Sequence, residues 1–422
     1  MCSSRPERAR GRIALAWAAV LHLAGAAGAA PAVAPAAGGA PFLAAAESAA
    51  EVVVGRVRAP ARLDLHGWRA EVVVERALRG VREPGAVVAI GWEELSTKRP
   101  PRFADGARVA LALEPLPPGS LWSGRFPRRD AVAVAARGEA FVREPTDAAL
   151  EPLAVWLALP ASEREGPRGV AALAALAARG EEPLARAALA RLDRVGGLAE
   201  RVAGPAAESL AALLADRGRP LALRREAFGL TGRRGLRALE PALEELASTP
   251  SEVQGPALDA LARLRGGLAP ERTADLLRAD DPAVRAAAVR RGEVAPAALT
   301  SLLSRDPDAD VRAAAAEALA ERTDPAAAEP LVRALGDDAS PVRAAAMRAL
   351  AGLGPEAALP ALRREIWDEL AREPGRSSSA VLTLALLGSE GVAELQRIAH
   401  EHPSERVRRV AELALGRLPE DH

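Results

Sequence analysis

The chain has 422 residues, enough for two or three domains with a sizeable buried surface. Its 56 basic and 56 acidic residues cancel, which excludes the strong positive field of a general nucleic-acid binder. The single cysteine, Cys2, excludes an internal disulfide and a thiolate metal site.

Arg5 to Arg12 form a positive start, Ile13 to Ala30 is apolar apart from His22, and Ala27-Gly28-Ala29 fits a small-x-small cleavage pattern. Residues 1–30 therefore read as a secretory signal peptide. The alternative is an uncleaved anchor, since 18 residues is near the minimum for a membrane span. Cleavage leaves 52 basic against 55 acidic residues and no cysteine. No later segment is long and apolar enough to cross a membrane, so the expected place is the periplasm or cell envelope, with the medium open. Residues 31–47, beginning PAVAPAAGGAP, read as a flexible linker.

Residues 48–145 read as a small β-barrel. Strands are expected at 52–57, 70–76, 86–90, 108–113, 131–135 and 140–143, rich in β-branched residues and separated by turn-rich stretches. Three phrases, EVVVGRV at 51–57, VERALRG at 74–80 and FADGARVAL at 103–111, resemble a bacterial exported module similar to the netrin/tissue-inhibitor-type oligonucleotide/oligosaccharide-binding fold. The cysteines common in such modules are missing. Trp68, Trp92 and Trp122 all lie here. Such rings are either stacking platforms, which would make this a glycan- or peptide-binding module, or plugs of an aromatic-poor core.

Residues 146–165 (beginning TDAALEPLAVWLAL) read as a connecting helix, and 166–418 as short helix, turn, short helix throughout. A phrase recurs there: an acid or turn, then Val-Arg, then alanines. It begins Asp281-Pro282-Ala283-Val284-Arg285, returns at Val311-Arg312 and Val342-Arg343, and is fainter at Val407-Arg408. The first three pairs are 27 and 31 residues apart and the last lies 65 further on, which is the signature of a helical solenoid. Weaker units are expected around Val253, at Leu223-Arg224, from Pro183, and at Ser378 to Gly388.

The parts of the phrase have mechanical roles. An Asp before the helix can accept a hydrogen bond from a free first-turn N–H, and proline is tolerated at the first helical position. Valine opens the buried stripe, and alanines let helices approach closely. The arginine fork is expected to reach a carboxylate or carbonyl of the neighbouring repeat. These residues resemble HEAT repeats of the short alanine-rich kind first associated with phycobilisome lyases. The resemblance implies an α-solenoid that binds proteins, and it does not imply bilin lyase activity.

Other candidates have plainer alternatives beside them. His400-Glu401-His402 is part of a metal site or an exposed turn before Pro403. The acidic clusters Asp280-Asp281, Asp306 to Asp310 and Asp337-Asp338 are calcium ligands or helix caps; they lack the glycine and terminal glutamate of a calcium loop. No phosphate-cradling glycine loop or serine elbow is present. The expectation is a non-catalytic, exported scaffold with no cofactor, binding protein and not nucleic acid. The second helix of each pair would line the binding face, with Arg and Glu setting specificity. A glycan- or peptide-binding barrel with the solenoid as spacer is the alternative, and a lyase-like enzyme the remote one.

Overall fold

The computed structural model describes residues 39–63, 67–93, 103–116, 132–135, 140–322, 324–368 and 376–418. They fall into two compact units, one covering 33–264 and one continuing from 265 to the end of the chain.

The first unit opens with α1 (Gly39–Ser48), then β1 (Glu51–Arg62), β2 (Gly67–Arg79), β3 (Val87–Glu93), β4 (Arg108–Pro115), β5 (Val132–Val134) and β6 (Phe141–Arg143). The linker expected over 31–47 is helical in its described part. PFLAAA places Phe42, Leu43 and Ala46 on one side, and all three are buried as α1 packs on the helix Glu182–Asp193 and on β4 and β6.

Five strands close a ring in the order β1-β2-β3-β5-β4, with β4 returning to β1, and β6 adds to the free stretch of β4. All pairs are antiparallel except β3 with β5. Val53, Val57, Val72, Val74, Val88, Ile90, Val109, Leu111 and Leu113 fill the interior. The alternate residues Val52, Val54, Ala110 and Ala112 are buried too, which is why these strands lack a clean polar face.

The six expected strands are all present, but β1 and β2 run longer than the sequence suggests. The first strand is expected to end at Val57, yet the β1–β2 register shifts between Arg58 and Ala61 and the pairing resumes. Ala59 takes positive φ (47°) there, and its N–H donates to Asp105 Oδ1 at 2.8 Å. An irregularity of this kind is where a strand tolerates proline.

The helices of this unit are α2 (Asp147–Ala158), α3 (Pro167–Arg179), α4 (Glu182–Asp193), the single turn α5 (Leu198–Arg201), α6 (Pro205–Ala215), α7 (Leu221–Arg234), α8 (Glu240–Ser248) and α9 (Gln254–Arg265). Arg79, at the end of β2, ties barrel to helices. Its Nη1 donates to the carbonyls of Ala46, Glu47 and Ala49 at the end of α1, and its Nη2 to that of Leu157 on α2. The last-turn carbonyls of a helix have no intrahelical partner, so a guanidinium there is satisfied and favoured by the helix dipole.

The second unit holds α10 (Pro270–Leu276), α11 (Pro282–Arg291), α12 (Pro296–Arg305), α13 (Ala309–Glu321), α14 (Ala328–Ala334), α15 (Ser340–Leu353), α16 (Pro355–Asp368), α17 (Arg376–Leu384), α18 (Gly388–Glu401) and α19 (Glu405–Leu415). Val284, Ala287 and Ala288, then Val311, Ala314 and Ala315, then Val342, Ala345 and Ala346 are buried in each successive Val-Arg helix. Among the described residues no helix is long and apolar enough to cross a membrane.

Candidate functional site

The recurring arginine builds the helical stack. In α11, Arg285 donates from Nε and Nη2 to both oxygens of Asp306 (2.9 and 2.8 Å), and from Nη1 to the carbonyls of Ala279 and Asp280. One repeat on, Arg312 grips Asp337 in the same two-pronged way (2.8 and 2.9 Å), while its Nη1 donates to the carbonyls of Asp306 and Pro307. Arg343 then caps the carbonyls of Asp337 and Asp338. Each aspartate is thus a node. Its side chain holds the arginine of one repeat, its carbonyl the arginine of the next, and its Oδ1 accepts an N–H two residues on.

This revises the reading of the acidic clusters as caps. Asp281 and Asp308 do cap, accepting from Ala283 N–H and from Asp310 and Val311 N–H. Asp306 and Asp337 do not; they are the arginine-gripped rungs. The distinguishing signal is an aspartate six residues before a repeat arginine, as in Asp306/Arg312 and Asp337/Arg343. Before Arg408 that position is His402, which is buried and not in an exposed turn. Ser404 N–H donates to its Nδ1 (3.2 Å), so Nε2 carries the proton and donates to the Ile366 carbonyl at 3.0 Å. Its own carbonyl accepts from Arg408, as the aspartate carbonyls do from theirs. Both ring nitrogens are engaged in holding the turn.

Burial works to raise the Asp306 and Asp337 carboxyls, but the arginine forks, the N–H bonds and the surrounding arginine charges outweigh it and hold both below the ordinary carboxylate value. Arg285 and Arg312 are correspondingly raised, chiefly by these same hydrogen bonds. A carboxylate with a depressed folded pKa stabilises the fold above its unfolded pKa, about 3.9, and stops doing so as pH falls through the folded value. The arginine contributions are lost only in strong alkali. Urea midpoints for residues 265–422 are therefore expected to hold level from neutral pH to about pH 5 and to fall below about pH 4. A D306N/D337N double variant should lose stability at neutral pH and show a much flatter acid limb.

The two sets of helices pack differently. The alanine-rich Val-Arg helices α11, α13 and α15 stack directly on one another. In the second unit the alternate helices α12, α14 and α16 stand further apart, whereas in the first unit α3 and α6 pack closely on one another. An open cleft of ≈ 520 Å³ lies along α6 at the end of α3, lined by Arg179, Glu208, Ser209 and Asp216. A second, ≈ 570 Å³, lies among the end of α6, α8 and the turn before α9, lined by Arg217, Arg224, Glu245, Ser251 and Glu252. In the second unit a cleft of ≈ 270 Å³ separates α12 from α14, lined by Thr300, Ser304, Arg333 and Asp337. Small alanine side chains explain the close layer, and longer polar side chains line the open one.

In the barrel, Trp68 and Trp92 are cross-strand partners on β2 and β3, stacked with centroids 6.2 Å apart and planes at 13°. Phe103 meets Trp92 edge-on at 4.9 Å and Phe141 meets Phe103 at 5.0 Å. Trp92 is 2% exposed, within the core, and Trp68 is half-buried at its margin. Trp122 lies outside the described residues.

A family model described as HEAT repeats matches residues 296–374. No curated protein matches the chain. Among solved structures it is similar to human deoxyhypusine hydroxylase in complex with glycerol, at 22% identity over 60% of this chain and 96% of that one, with a TM-score of 0.27. It is also similar to the Escherichia coli protein YibA, at 17% identity over 62% of this chain and 98% of that one, TM-score 0.35. An engineered protein matches at 24% identity over 50% of this chain and 95% of that one, TM-score 0.24.

Proposed function

We propose that the helical repeat region, with its HEAT repeats at 296–374, is a non-catalytic protein-binding scaffold of the cell envelope. The observation that carries this reading is the division of labour between the helix sets. Val-Arg helices and their aspartate nodes fix the spacing of the layers. Open clefts in both units have linings that mix Arg, Glu, Asp and Ser, a surface suited to many shallow polar contacts with a protein. The reading of residues 1–30 as a signal peptide supports export, with the partner sought in the periplasm or at the envelope.

Site-specific photocrosslinking tests it. A photoreactive residue in the full chain at Glu208 or Ser304, both exposed in clefts, is expected to give discrete protein adducts in an envelope fraction. The same group at Arg69 or Glu71, exposed on β2, should give none. Adducts from the barrel positions alone would overturn the scaffold reading. They would favour the second one, a glycan- or peptide-binding barrel, which the half-exposed Trp68 on its stacked pair keeps physically open.

A further inference from the structure

Arg224 occupies the same place in α7 that Arg285 and Arg312 hold in their helices, but its hydrogen bonds are exchanged. Nε and Nη2, the prongs that grip aspartate elsewhere, both donate to the carbonyl of Leu214 near the end of α6 (3.0 and 2.9 Å). Only Nη1 reaches a carboxylate, through one bond of 2.8 Å to Glu252 Oε1. The Arg224 side chain is 2% exposed and that of Glu252 is 54% exposed. The corresponding aspartates Asp306 and Asp337 are 4% and 13% exposed and bound by two prongs. A single bond to a half-solvated glutamate is the weakest form of this pairing, because water competes and the longer side chain loses rotamer freedom to make it.

This loosely held pair lines the ≈ 570 Å³ cleft beside α8. The same lining holds Ser251, whose Oγ is buried with no hydrogen-bond partner, next to the apolar Leu246 and Val253. A buried guanidinium and a free hydroxyl beside apolar surface form a receptor for a carboxylate on an aliphatic stem. We propose that the cleft is a subsite for an acidic side chain of a protein partner, and that Glu252 is an internal stand-in which the incoming carboxylate displaces from Arg224. The exchange replaces one carboxylate by another, so the charge on Arg224 is never left unpaired. The incoming group gains a bond from Ser251 that Glu252 does not make. The partner clause rests on the scaffold reading; the carboxylate site does not.

Removing the stand-in tests the site. In full-length E252A, about 100 mM sodium glutarate is expected to raise Tm by about 3 °C over sodium chloride of equal ionic strength. In the wild-type chain the rise should stay below about 1 °C, because tethered Glu252 competes at high effective concentration. A response in E252A no larger than in the wild type would overturn the subsite, and an R224K/E252A chain that folds should lose the difference. For the partner, a photoreactive group at Thr249 should give several-fold more adduct in E252A than in the Glu252 chain. Unchanged yield there, with adducts persisting at Ser304, would remove the acidic-partner clause and leave the scaffold standing. Loss of adducts at every cleft position would remove the scaffold, and the glutarate response would still decide the carboxylate site.

Discussion

Asp306→Ala is expected to lower the melting temperature of residues 265–422 by about 10 °C, corresponding to a loss of about 3–5 kcal/mol. The size follows from what the substitution strands. Arg285, 12% exposed in its side chain, loses both prongs of its grip, and Asp308 N–H loses its acceptor. A largely buried guanidinium without its carboxylate carries its desolvation cost uncompensated. The carbonyl of Asp306 remains for Arg312, so the damage should be greatest on the Arg285 side. A double-mutant cycle with Arg285→Met separates the pair from its setting: the two losses should fail to add by about 2 kcal/mol. As a control, Glu405→Ala breaks an ion pair whose side chains are 71% and 76% exposed, and it should change the midpoint hardly at all. Equal effects from Asp306 and Glu405 in thermal denaturation would mean that the aspartate nodes do not set the stack.

The layered helices are legible in the sequence because the repeat phrase encodes them three times over. Pro282 and Asp281 mark a helix start, Val284 its buried stripe, and the alanines its close neighbours, and each sits where the phrase predicts. Of the two partners expected for the arginine, a carboxylate or a carbonyl of the neighbouring repeat, the paired prongs take the carboxylate. Its identity is hidden because Asp306 and Asp308 stand two residues apart and look equally able to cap a helix. Only the fold shows that Asp308 points at the free N–H groups while Asp306 turns to Arg285. His402 is harder still. Nothing local marks a histidine as standing in for an aspartate, since the equivalence lies in its distance from Arg408 and in a bond to Ile366, 36 residues away.

In the barrel the strands are legible from their valines, and the failures have two causes. The expected end of β1 at Val57 falls short of Arg62 because irregular pairing that accommodates Pro60 leaves no trace in a propensity. The run at 39–48 looks like linker because alanine and glycine dominate its neighbourhood; the decisive residues are only Phe42 and Leu43, buried as α1 packs on α4, β4 and β6. The candidate clefts have no sequence signal at all. They arise where neighbouring helices diverge, and a spacing between two surfaces is a property of neither segment alone.

Gly55→Ala is expected to cost about 3 kcal/mol and to be felt through the whole of the first unit. In isolation the change should help, since alanine loses less conformational entropy on ordering than glycine does, a gain of about 0.5–1 kcal/mol. The surroundings reverse the sign. A Cβ on Gly55 would lie 2.3 Å from the Val73 carbonyl oxygen and 2.7 Å from Val72 Cγ1. Neither is the loose end of a flexible chain: one is backbone of the paired strand and the other a buried branched side chain of the core. Relaxation is blocked on the other edge as well, because Gly55 also pairs with Val109 on β4 at the seam that closes the ring. The register with β2 already shifts between Val54 and Gly55, so little further adjustment is open to the strand at this point. Gly85 is the useful contrast. It has φ of +86° and nothing within 4 Å of where a methyl would sit, so Gly85→Ala carries only backbone strain, about 1 kcal/mol. Denaturation followed by the exciton circular dichroism of the stacked Trp68–Trp92 pair reports on the barrel directly. A Gly55→Ala midpoint at or above that of Gly85→Ala would show that the β1–β2 approach is looser than these distances require.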